Sequence, residues 1–378
     1  MNSNLQFVLQ PGGVLTGSMR VPGDKSISHR SIMLGALAEG VTEVYGFLQG
    51  EDSLNTLRCF RRMGVQIEGP EVLGAGRVRI RGVGLHGLKK PDETLWLGNS
   101  GTSMRLMSGI IAGQDFDAVM EGDASLSRRP MRRVTEPLAL MGARIDTQEG
   151  GRPPLHVHGG SALKGIHYAM PMASAQVKSC VLLAGLYAEG ETCVTEPAPT
   201  RDHTERMLQG FGYEVRRTTG EGGVSTVCLH GGGKLTATAI DVPADISSAA
   251  FFLVAASIAP GSDLLLEHVG VNPTRTGVIE ILRLMGANIE VLNERVVGGE
   301  PVADLRVRSA SLTGIVIPES LVPLAIDEFP AIFIAAACAQ GETVLTGAEE
   351  LRVKESDRIQ VMADGLLEIG RAACRERV

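Results

Sequence analysis

The stretch "GDKSISHRSIMLGALAEG", residues 23–40, decides the fold because its pattern recurs along the chain. It opens with small polar and charged residues, continues as an apolar helix and ends at a glycine. Glycine commonly follows a helix, since it readily adopts the left-handed conformation that stops one. Four later stretches repeat the pattern, and the predicted first helices stop at glycines 71 to 80 residues apart: Gly40, Gly113, Gly190, Gly261 and Gly341.

A second helix with its own glycine stop follows in four of these stretches. The stops lie in "RRMGVQI" at Gly64, "ALMGARI" at Gly142, "QGFGYEV" at Gly212 and "RLMGANI" at Gly286. The short β-branched runs near these helices are typical of strands. Each unit therefore predicts the order βαβαββ, and its length makes it a small subdomain rather than a solenoid repeat of about 20–50 residues.

Composition excludes several classes of function. The 378-residue chain is 44% hydrophobic and carries a formal net charge of −7, whereas a general nucleic-acid binder normally presents a basic face. The longest apolar run, residues 249–260, is shorter than the roughly 20 residues that span a bilayer, and the first residues lack a signal-peptide pattern. We predict neither a nucleic-acid nor a membrane partner, and a cytoplasmic location.

Cysteine and histidine spacing gives no sign of a metal centre. The six cysteines form no CxxC pair and no zinc-binding pattern, so we predict single reduced thiols. The "HVH" segment, His156 and His158, lies in a strand pattern without a neighbouring cysteine or carboxylate in the sequence. We therefore predict no bound metal.

Three of the polar helix openings also carry a cation one or two turns into the helix. They are "GDKSISHR" (23–30), "GNSGTSMR" (98–105) and "MASAQVKS" (172–179). A helix N-terminus offers unpaired N–H groups and a partial positive charge, and a nearby Lys or Arg completes a phosphate or carboxylate site. Ordinary N-capping explains one such opening alone, but three in register favour the binding of small anions.

Further cations and two acidic groups lie between the predicted strands and helices. The segments "GDASLSRRPMRR", "TRDHTER" and "LRVKESDR" are rich in arginine, which suggests a cleft that concentrates anions. "AIDEFP" places Asp327 and Glu328 at the start of an apolar helix, and "VKESDR" places Glu355 among cations. Each carboxylate is either a helix cap or a general base held near positive charge.

Together these motifs closely resemble those of one family, the 5-enolpyruvylshikimate-3-phosphate synthases, or 3-phosphoshikimate 1-carboxyvinyltransferases. The matching segments follow the family order over residues 23–358: "GDKSISHR", "LGNSGTSMR", "GDASLSRRPM", "MASAQVKS", "TRDHTE", "IDEFP" and "LRVKESDR". The resemblance implies an α/β (α+β) fold of two globular domains, each built from three βαβαββ units. It implies a first domain of residues 1–18 and 243–378, a second of residues 19–242, and crossings near residues 15–20 and 240–244.

The resemblance also implies a reaction. Enzymes of this family transfer the enolpyruvyl group of phosphoenolpyruvate to the 5-hydroxyl of shikimate 3-phosphate and release phosphate. Protonation of the vinyl carbon, attack by the hydroxyl and loss of phosphate need an acid and a base, but no metal or redox cofactor. We expect no cofactor, a monomer, and the two phosphorylated substrates as ligands.

The site residues follow by matching motifs. Lys25, Ser26 and Arg30 are expected to hold shikimate 3-phosphate, with Ser174, Ala175, Gln176 and Arg201 around its phosphate and ring. Gly101, Arg129 and Arg358 are expected beside phosphoenolpyruvate, which Lys25 also reaches. Asp327 is the expected base, and Lys354 and Glu355 are the expected proton-handling pair. His29 is left open between a packing role and a contact with substrate.

The end of the chain departs from the family pattern. The family continues with a sixth unit, whose His-Arg pair and later Lys also bind phosphoenolpyruvate, whereas residues 368–378, "EIGRAACRERV", read as a non-native tail. We therefore expect an incomplete first domain, low stability and weak or absent activity. One alternative is an inactive remnant that only binds shikimate 3-phosphate. Another is the related enolpyruvyl transferase acting on UDP-N-acetylglucosamine, although Ser26 replaces its Asn and the "GDASLSRRP" loop lacks its Cys.

Overall fold

The computed structural model describes residues 12–370 except 75 and 221–223, together with residues 8 and 10. The predicted tail at 371–378 lies outside the described residues, as does Cys374. The strands are β1 (Thr16–Met19), β2 (Ala38–Tyr45), β3 (Gln66–Glu68), β4 (Val78–Val83), β5 (Leu95–Trp96), β6 (Ala118–Glu121), β7 (Arg144–Gln148), β8 (Arg152–His158), β9 (His167–Ala169), β10 (Glu191–Glu196), β11 (Arg216–Thr219), β12 (Ser225–His230), β13 (Leu235–Thr236), β14 (Ala239–Asp241), β15 (Asp263–Gly270), β16 (Asn288–Val297) and β17 (Glu300–Arg308). The α-helices are α1 (Lys25–Leu37), α2 (Glu51–Arg62), α3 (Pro70–Leu73), α4 (Gly101–Ala112), α5 (Arg132–Leu140), α6 (Ala175–Gly185), α7 (His203–Gly210), α8 (Ile246–Ile258), α9 (Gly277–Leu284), α10 (Phe329–Cys338) and α11 (Arg358–Glu368).

Four small sheets share one topology, which confirms the repeated βαβαββ unit. Their strand orders are β5-β6-β8-β7, β9-β10-β12-β11, β1-β15-β17-β16 and β13-β2-β4-β3, with β14 also paired to β2. In each sheet the first strand pairs in parallel with the second, and the remaining pairs are antiparallel. A fifth unit begins in the same way, because α10 connects two segments that form parallel bridges at Thr313–Gln340 and Val316–Val344.

Two of the sheets take their first strand from a distant part of the chain. Strand β1 joins the sheet of residues 263–308, and β13 and β14 join the sheet of residues 38–83. The two segments that carry the chain across lie side by side, since Gly23 forms an antiparallel bridge with Ala244. The Asp24 amide donates to the Pro243 carbonyl at 2.8 Å, and the Asp245 amide donates to the Pro22 carbonyl at 2.9 Å.

The buried hydrophobic residues form two clusters on either side of these crossings. One cluster runs from Ile27 to Val242, and the other contains Val21 and residues from Ala244 to Leu351. Among the residues that the structure describes, no helix has the length and apolar composition needed to cross a membrane.

The second-helix stops were predicted correctly. Gly64, Gly142, Gly212 and Gly286 each lie two residues beyond the end of their helix at positive φ, between 80° and 101°. Gly370 occupies the same position after α11 at a φ of 71°, so residues 368–370 continue the repeat rather than belonging to a tail.

The first-helix stops were predicted less well. Gly113 directly follows α4, but the other four glycines lie three to five residues beyond the last helical residue. Gly40, for example, is within β2 and pairs with Gly82 of β4. Helix α1 therefore ends where strand pairing begins. Gly40 adopts a φ of 108° within the strand and does not end the helix.

The prediction of six unpaired cysteines is wrong for one pair. Strands β10 and β12 are antiparallel, and their register puts Cys193 opposite Cys228 with Cα atoms 4.1 Å apart. The two form a disulfide, while Cys59, Cys180 and Cys338 are free. The partners are 35 residues apart, and no spacing rule in the sequence brings them together.

The helix-stop glycines give a test of the repeat. Gly212→Ala should lower the free energy of unfolding by about 1–2 kcal/mol, because alanine is strained at positive φ. Space does not decide the effect, since the nearest atom to an added Cβ is Thr236 Oγ1 at 3.9 Å. Urea unfolding followed by circular dichroism measures the change.

A matched substitution should act in the opposite direction. Gly365 lies inside α11, with no atom within 4 Å of an added Cβ and no positive φ. Gly365→Ala should raise the free energy of unfolding by about 0.5–1 kcal/mol. Equal effects of the two substitutions would contradict the assignment of Gly212 to a left-handed helix stop.

Candidate active site

Three buried helices, α1, α4 and α6, begin close together on one side of the molecule. Each is capped by a side chain that accepts a hydrogen bond from a backbone N–H of the first turn. The caps are Asp24 to Ile27 at 2.8 Å, Ser100 to Ser103 at 3.1 Å and Ser174 to Val177 at 3.4 Å. The remaining first-turn N–H groups and the helix dipoles make this an electropositive surface suited to small anions.

Arg105 and Gln176 join the first turns of α4 and α6. Arg105 Nη1 donates to Gln176 Oε1 at 2.5 Å, and Gln176 Nε2 donates to Thr102 Oγ1 at 2.9 Å. Burial, with the charges of Arg133 and Arg129, lowers the pKa of Arg105 to about 10. The cations are therefore crowded, and a bound anion would relieve their repulsion.

Arg129 approaches the same surface from the loop after β6. Its Nη2 donates to Asn99 Oδ1 at 2.5 Å and to Ser125 Oγ at 3.2 Å. Gly101 opens α4 directly beneath it, where an added Cβ would lie 3.1 Å from Arg105 Nη1 and 3.3 Å from Arg129 Nη1. The missing side chain of Gly101 thus lets two guanidinium groups share one small space.

Arg30 lies deeper than the sequence motif suggested. It is 4% exposed, and it donates to Thr204 Oγ1 at 2.7 Å, Ser179 Oγ at 2.8 Å and the Ser26 carbonyl at 3.0 Å. Burial lowers its pKa to about 10. Arg30 therefore ties the first turn of α1 to α6 and α7, and it places a fixed charge behind the half-buried Ser26.

Lys25 is the exposed cation of this opening. Its ammonium pairs with Asp52 at the start of α2, and its backbone amide donates to Asp245 Oδ2 at 3.2 Å. Ala175 and Gln176, at the start of α6, are half-buried at the same surface.

Asp327 joins the two hydrophobic clusters through its side chain. Arg201, which precedes α7, pairs with Asp327 Oδ2, and Arg358 Nη1 donates to Asp327 Oδ1 at 2.9 Å. Although burial raises the pKa of Asp327, Arg201, Lys354 and Arg358 together lower it far below its usual range. Asp327 is therefore ionised, and it does not cap α10, whose capping position forms no side-chain hydrogen bond.

Glu355 and Lys354 lie beside Asp327. Arg358 donates two hydrogen bonds of 2.9 Å to Glu355, and Lys354 pairs with Glu350 at 2.7 Å. Burial raises the pKa of Glu355, but the hydrogen bonds and charge of Arg358, a backbone hydrogen bond and the charge of Arg129 together lower it. Glu355 is therefore within electrostatic reach of Arg129, which lies beside the first turn of α4.

Sequence reasoning missed Arg275, a buried arginine between the crossing segments. Its guanidinium donates to Asp24 at 3.0 Å and to Asp245 at 3.2 Å, the caps of α1 and α8. It also donates to Ser247 Oγ at 2.7 Å and lies 3.7 Å from Glu328. In the sequence it is only an arginine after "NPT". Its role could not be predicted, because its three carboxylate partners are distant along the chain.

Lys178 does not face the cleft, contrary to the prediction from its motif. It lies in the motif "MASAQVKS" but points away from the cleft into the core, where its side chain is fully buried. Its ammonium lies 3.0 Å from Glu196 and 2.7 Å from Glu205. The cation that made this opening resemble the other two is therefore structural, and Arg105 supplies the charge at the cleft instead.

The site as a whole is that of a two-lobed enzyme for small polyanions. Helix N-termini and arginines from one lobe face a carboxylate and further cations from the other, and Arg201 with Asp327 spans the gap. Such an arrangement can neutralise two anionic substrates and also move a proton between them.

Comparison with known proteins identifies the family. The family described as EPSP synthase (3-phosphoshikimate 1-carboxyvinyltransferase) matches residues 9–377, and the chain belongs to this family. Curated proteins named 3-phosphoshikimate 1-carboxyvinyltransferase are similar to it at high identity. That of Methylococcus capsulatus is 72% identical, covering 98% of this chain and 83% of the relative, and that of Hydrogenovibrio crunogenus is 69% identical, covering 98% and 82%.

A solved structure is similar as well. The 2.37 Å structure of EPSP synthase from Acinetobacter baumannii matches with a TM-score of 0.85 and 64% identity, over 95% of this chain and 80% of that one. The expected fold class, two domains of repeated βαβαββ units, is thereby confirmed.

His29 has a packing role in the structure. It is fully buried, and its Nδ1 lies 2.8 Å from Thr56 Oγ1 and 3.3 Å from Ser103 Oγ. Burial, together with the charges of Lys25 and Arg30, lowers its pKa to about 3. His29 is therefore neutral in the folded protein and joins α1 to α2 and α4.

This burial predicts a pH dependence of stability. Between pH 6.5 and 3 the unfolded chain holds a proton on His29 that the folded chain does not, so its contribution destabilises the fold as the pH falls. His29→Asn should remove that contribution. As the pH falls from 7.5 to 5.5, the original protein should therefore lose roughly 1 kcal/mol more of its free energy of unfolding than the variant does.

Urea titrations at several pH values measure this difference. Between pH 8 and 7 the two proteins should show the same slope, which serves as the internal control. A difference in stability that stays constant down to pH 5.5 would mean that His29 titrates alike in both states.

Proposed function

We propose that this chain transfers the enolpyruvyl group of phosphoenolpyruvate to the 5-hydroxyl of shikimate 3-phosphate and releases phosphate. The observation that carries the proposal is the position of Asp327, which pairs with Arg201 of the other lobe and with Arg358 of its own. Both substrates are small polyanions, and such a cleft neutralises them while keeping one carboxylate beside their reacting atoms.

Shikimate 3-phosphate is assigned to the helix openings. Lys25 and Ser26 at the start of α1, with Ser174 and Gln176 at the start of α6, present a cation, hydroxyls and an amide to one space. The backbone of Ala175 adds an N–H group at the same point, and Arg30 adds its charge from below. Arg201 reaches the site from the loop before α7, where a substrate phosphate competes with Asp327 for its guanidinium.

Phosphoenolpyruvate is assigned to the space between Gly101 and Arg358. Arg129 approaches it from one lobe and Arg358 from the other, so the ligand's carboxylate and phosphate bring the lobes together. Lys25 borders both substrates, because its ammonium reaches out from the first turn of α1.

Asp327 acts as the base that takes the proton from the 5-hydroxyl. Its strongly lowered pKa keeps it ionised, so it accepts a hydrogen bond from the hydroxyl at every physiological pH. A carboxylate held so firmly by cations is a weak base. Its basicity increases when substrate phosphate and carboxylate groups draw Arg201 and Arg358 away from it.

Competition between phosphoenolpyruvate and Glu355 for Arg358 would make Glu355 the general acid. Glu355 is ionised while Arg358 holds it with two hydrogen bonds. When phosphoenolpyruvate engages Arg358, Glu355 loses that partner and its pKa rises, so that it can take a proton and pass it to the vinyl carbon. Lys354, beside it, is the second member of this pair and stabilises the charge as the proton moves.

We also propose a domain division, an oligomeric state and a location. Residues 1–18 with 243–378 form one domain and residues 19–242 the other. The two separate hydrophobic clusters support this division except at Val21, which packs in the cluster of residues 244–351. The protein acts as a monomer in the cytoplasm.

Phosphate release tests the function. With both substrates present, the chain should release phosphate, and omission of either substrate should abolish the release. Asp327→Asn should lower kcat by about 10²–10⁴-fold, because the amide accepts no proton from the hydroxyl. Asp364→Asn, an exposed acid on α11, should leave the rate unchanged.

Calorimetry with shikimate 3-phosphate separates the alternatives. Phosphate release that Asp327→Asn abolishes agrees with the proposed reaction. Tight binding of shikimate 3-phosphate without release indicates the binding-only remnant. A chain that neither binds this ligand nor releases phosphate would contradict the proposal.

The space at Gly101 gives a second test. Gly101→Ala places a methyl group 3.1 Å from Arg105 and 3.3 Å from Arg129, so both guanidinium groups must shift. We expect a higher KM for phosphoenolpyruvate, by roughly tenfold for a loss of about 1.4 kcal/mol. The KM for shikimate 3-phosphate should stay within twofold, and an equal rise in both values would place Gly101 outside the phosphoenolpyruvate site.

A further inference from the structure

The "HVH" segment has carboxylate partners that the sequence did not show. The prediction that His156 and His158 lack acidic neighbours is wrong. Asp117, just before β6, lies 3.8 Å from His156 Nε2 and 4.0 Å from His158 Nδ1. Asp146 of β7 lies 2.7 Å from His158 Nε2. Antiparallel pairing of β8 with both β6 and β7 brings these residues together.

The two imidazoles share one face of β8. Side chains two positions apart on a strand point to the same side, and the ring centroids of His156 and His158 are 4.3 Å apart. With Asp117 they offer three ligand atoms that all lie within 4.8 Å of one another. This is a chelating arrangement of two nitrogens and one oxygen at an accessible surface.

Hydrogen bonds already orient two of the three ligand groups. Asp117 Oδ1 accepts from the Gly159 amide at 2.9 Å, which leaves Oδ2 facing the histidines. His158 Nε2 donates to Asp146 Oδ2 at 2.7 Å, so that Nδ1 carries the free lone pair toward Asp117. A carboxylate behind a histidine commonly fixes the tautomer and raises the basicity of a metal ligand.

We propose that Asp117, His156 and His158 form a surface site for a divalent transition-metal ion of the Zn²⁺, Ni²⁺ or Cu²⁺ class. Imidazole and carboxylate ligands suit these ions, whereas Mg²⁺ and Ca²⁺ prefer oxygen ligands alone. At Zn–N distances of about 2.0–2.1 Å, tetrahedral ligands lie roughly 3.3 Å apart. The three ligand atoms, now within 4.8 Å of one another, must therefore move closer together when the ion binds. The open coordination positions face solvent and take water.

A second group of possible metal ligands is excluded by a disulfide, and a nearby lysine affects the affinity of the proposed site. His167, Glu191 and Cys193 also lie close together, but the disulfide to Cys228 removes the Cys193 thiolate. The charge of Lys90 acts on Asp117 and opposes a bound cation. Removal of that charge should therefore tighten the proposed site.

Calorimetric titration of the full chain, free of any affinity tag, with ZnCl₂ tests the proposal. We expect one ion per chain. His156→Ala and His158→Ala should each weaken the affinity by more than tenfold, Asp146→Ala by about tenfold, and Lys90→Gln should strengthen it. His86→Ala removes an exposed histidine outside the cluster and should leave the affinity unchanged.

All of these side chains are exposed or partly exposed, so the variants should keep the fold, which near-ultraviolet circular dichroism checks. The proposal is overturned if no saturable binding occurs. It is also overturned if His156→Ala and His158→Ala bind Zn²⁺ as well as His86→Ala does.

Discussion

One buried guanidinium, that of Arg275, holds together the point where the chain passes between its two hydrophobic clusters. It hydrogen-bonds to the capping carboxylates of α1 and α8, Asp24 and Asp245, and so fixes the start of one helix in each cluster. With Glu328, three carboxylates surround this one cation, and their pKa values shift in different directions. Burial raises the pKa of Asp24, but the charges of Arg275 and His203 and a backbone hydrogen bond together lower it. Burial and the neighbouring Asp24 raise the pKa of Asp245. Loss of the guanidinium would leave buried charges unpaired, at a cost of about 3–5 kcal/mol in comparable cases.

The exchange of strands explains why this point is so closely constrained. Strand β1 completes a sheet whose other strands lie some 250 residues later, and β13 and β14 complete the sheet that begins at β2. The two crossing segments therefore run between structures that are already fixed at both ends. They pair with each other at Gly23 and Ala244, where an added Cβ on Gly23 would lie 1.9 Å from the Gly46 carbonyl oxygen. This short ribbon and Arg275 beside it therefore fix how the two crossing segments lie against each other.

The parts of this fold that depend on local sequence could be predicted, and the parts that depend on distant partners could not. Helix ends at Gly64, Gly142, Gly212 and Gly286 follow from backbone conformation alone, since each requires a left-handed residue. The βαβαββ order follows from their spacing. The exchange of first strands, by contrast, leaves no local pattern, because β1 and β14 look like any short strand.

The candidate site divides in the same way. Its motifs were recognisable, and the structure brings them to one cleft, but it reassigns individual side chains. Lys178 is buried against two glutamates, whereas Arg105 takes the place at the cleft. Both are cations in the first or second turn of a helix. Helical periodicity and burial decide which of the two faces the cleft. The carboxylates near His158 were unpredictable for a related reason, since β-sheet register alone brings Asp117 and Asp146 to it.

Three cations of the cleft are paired with the protein's own carboxylates. Lys25 pairs with Asp52, Arg201 with Asp327, and Arg358 with Asp327 and Glu355. An anionic substrate therefore exchanges one partner for another, and its net gain in binding energy is smaller than a count of arginines suggests. The exchange has a chemical result, however, because each carboxylate that loses its cation becomes more basic. Under the proposed function, substrate binding and the change in basicity of Asp327 and Glu355 are therefore one electrostatic event.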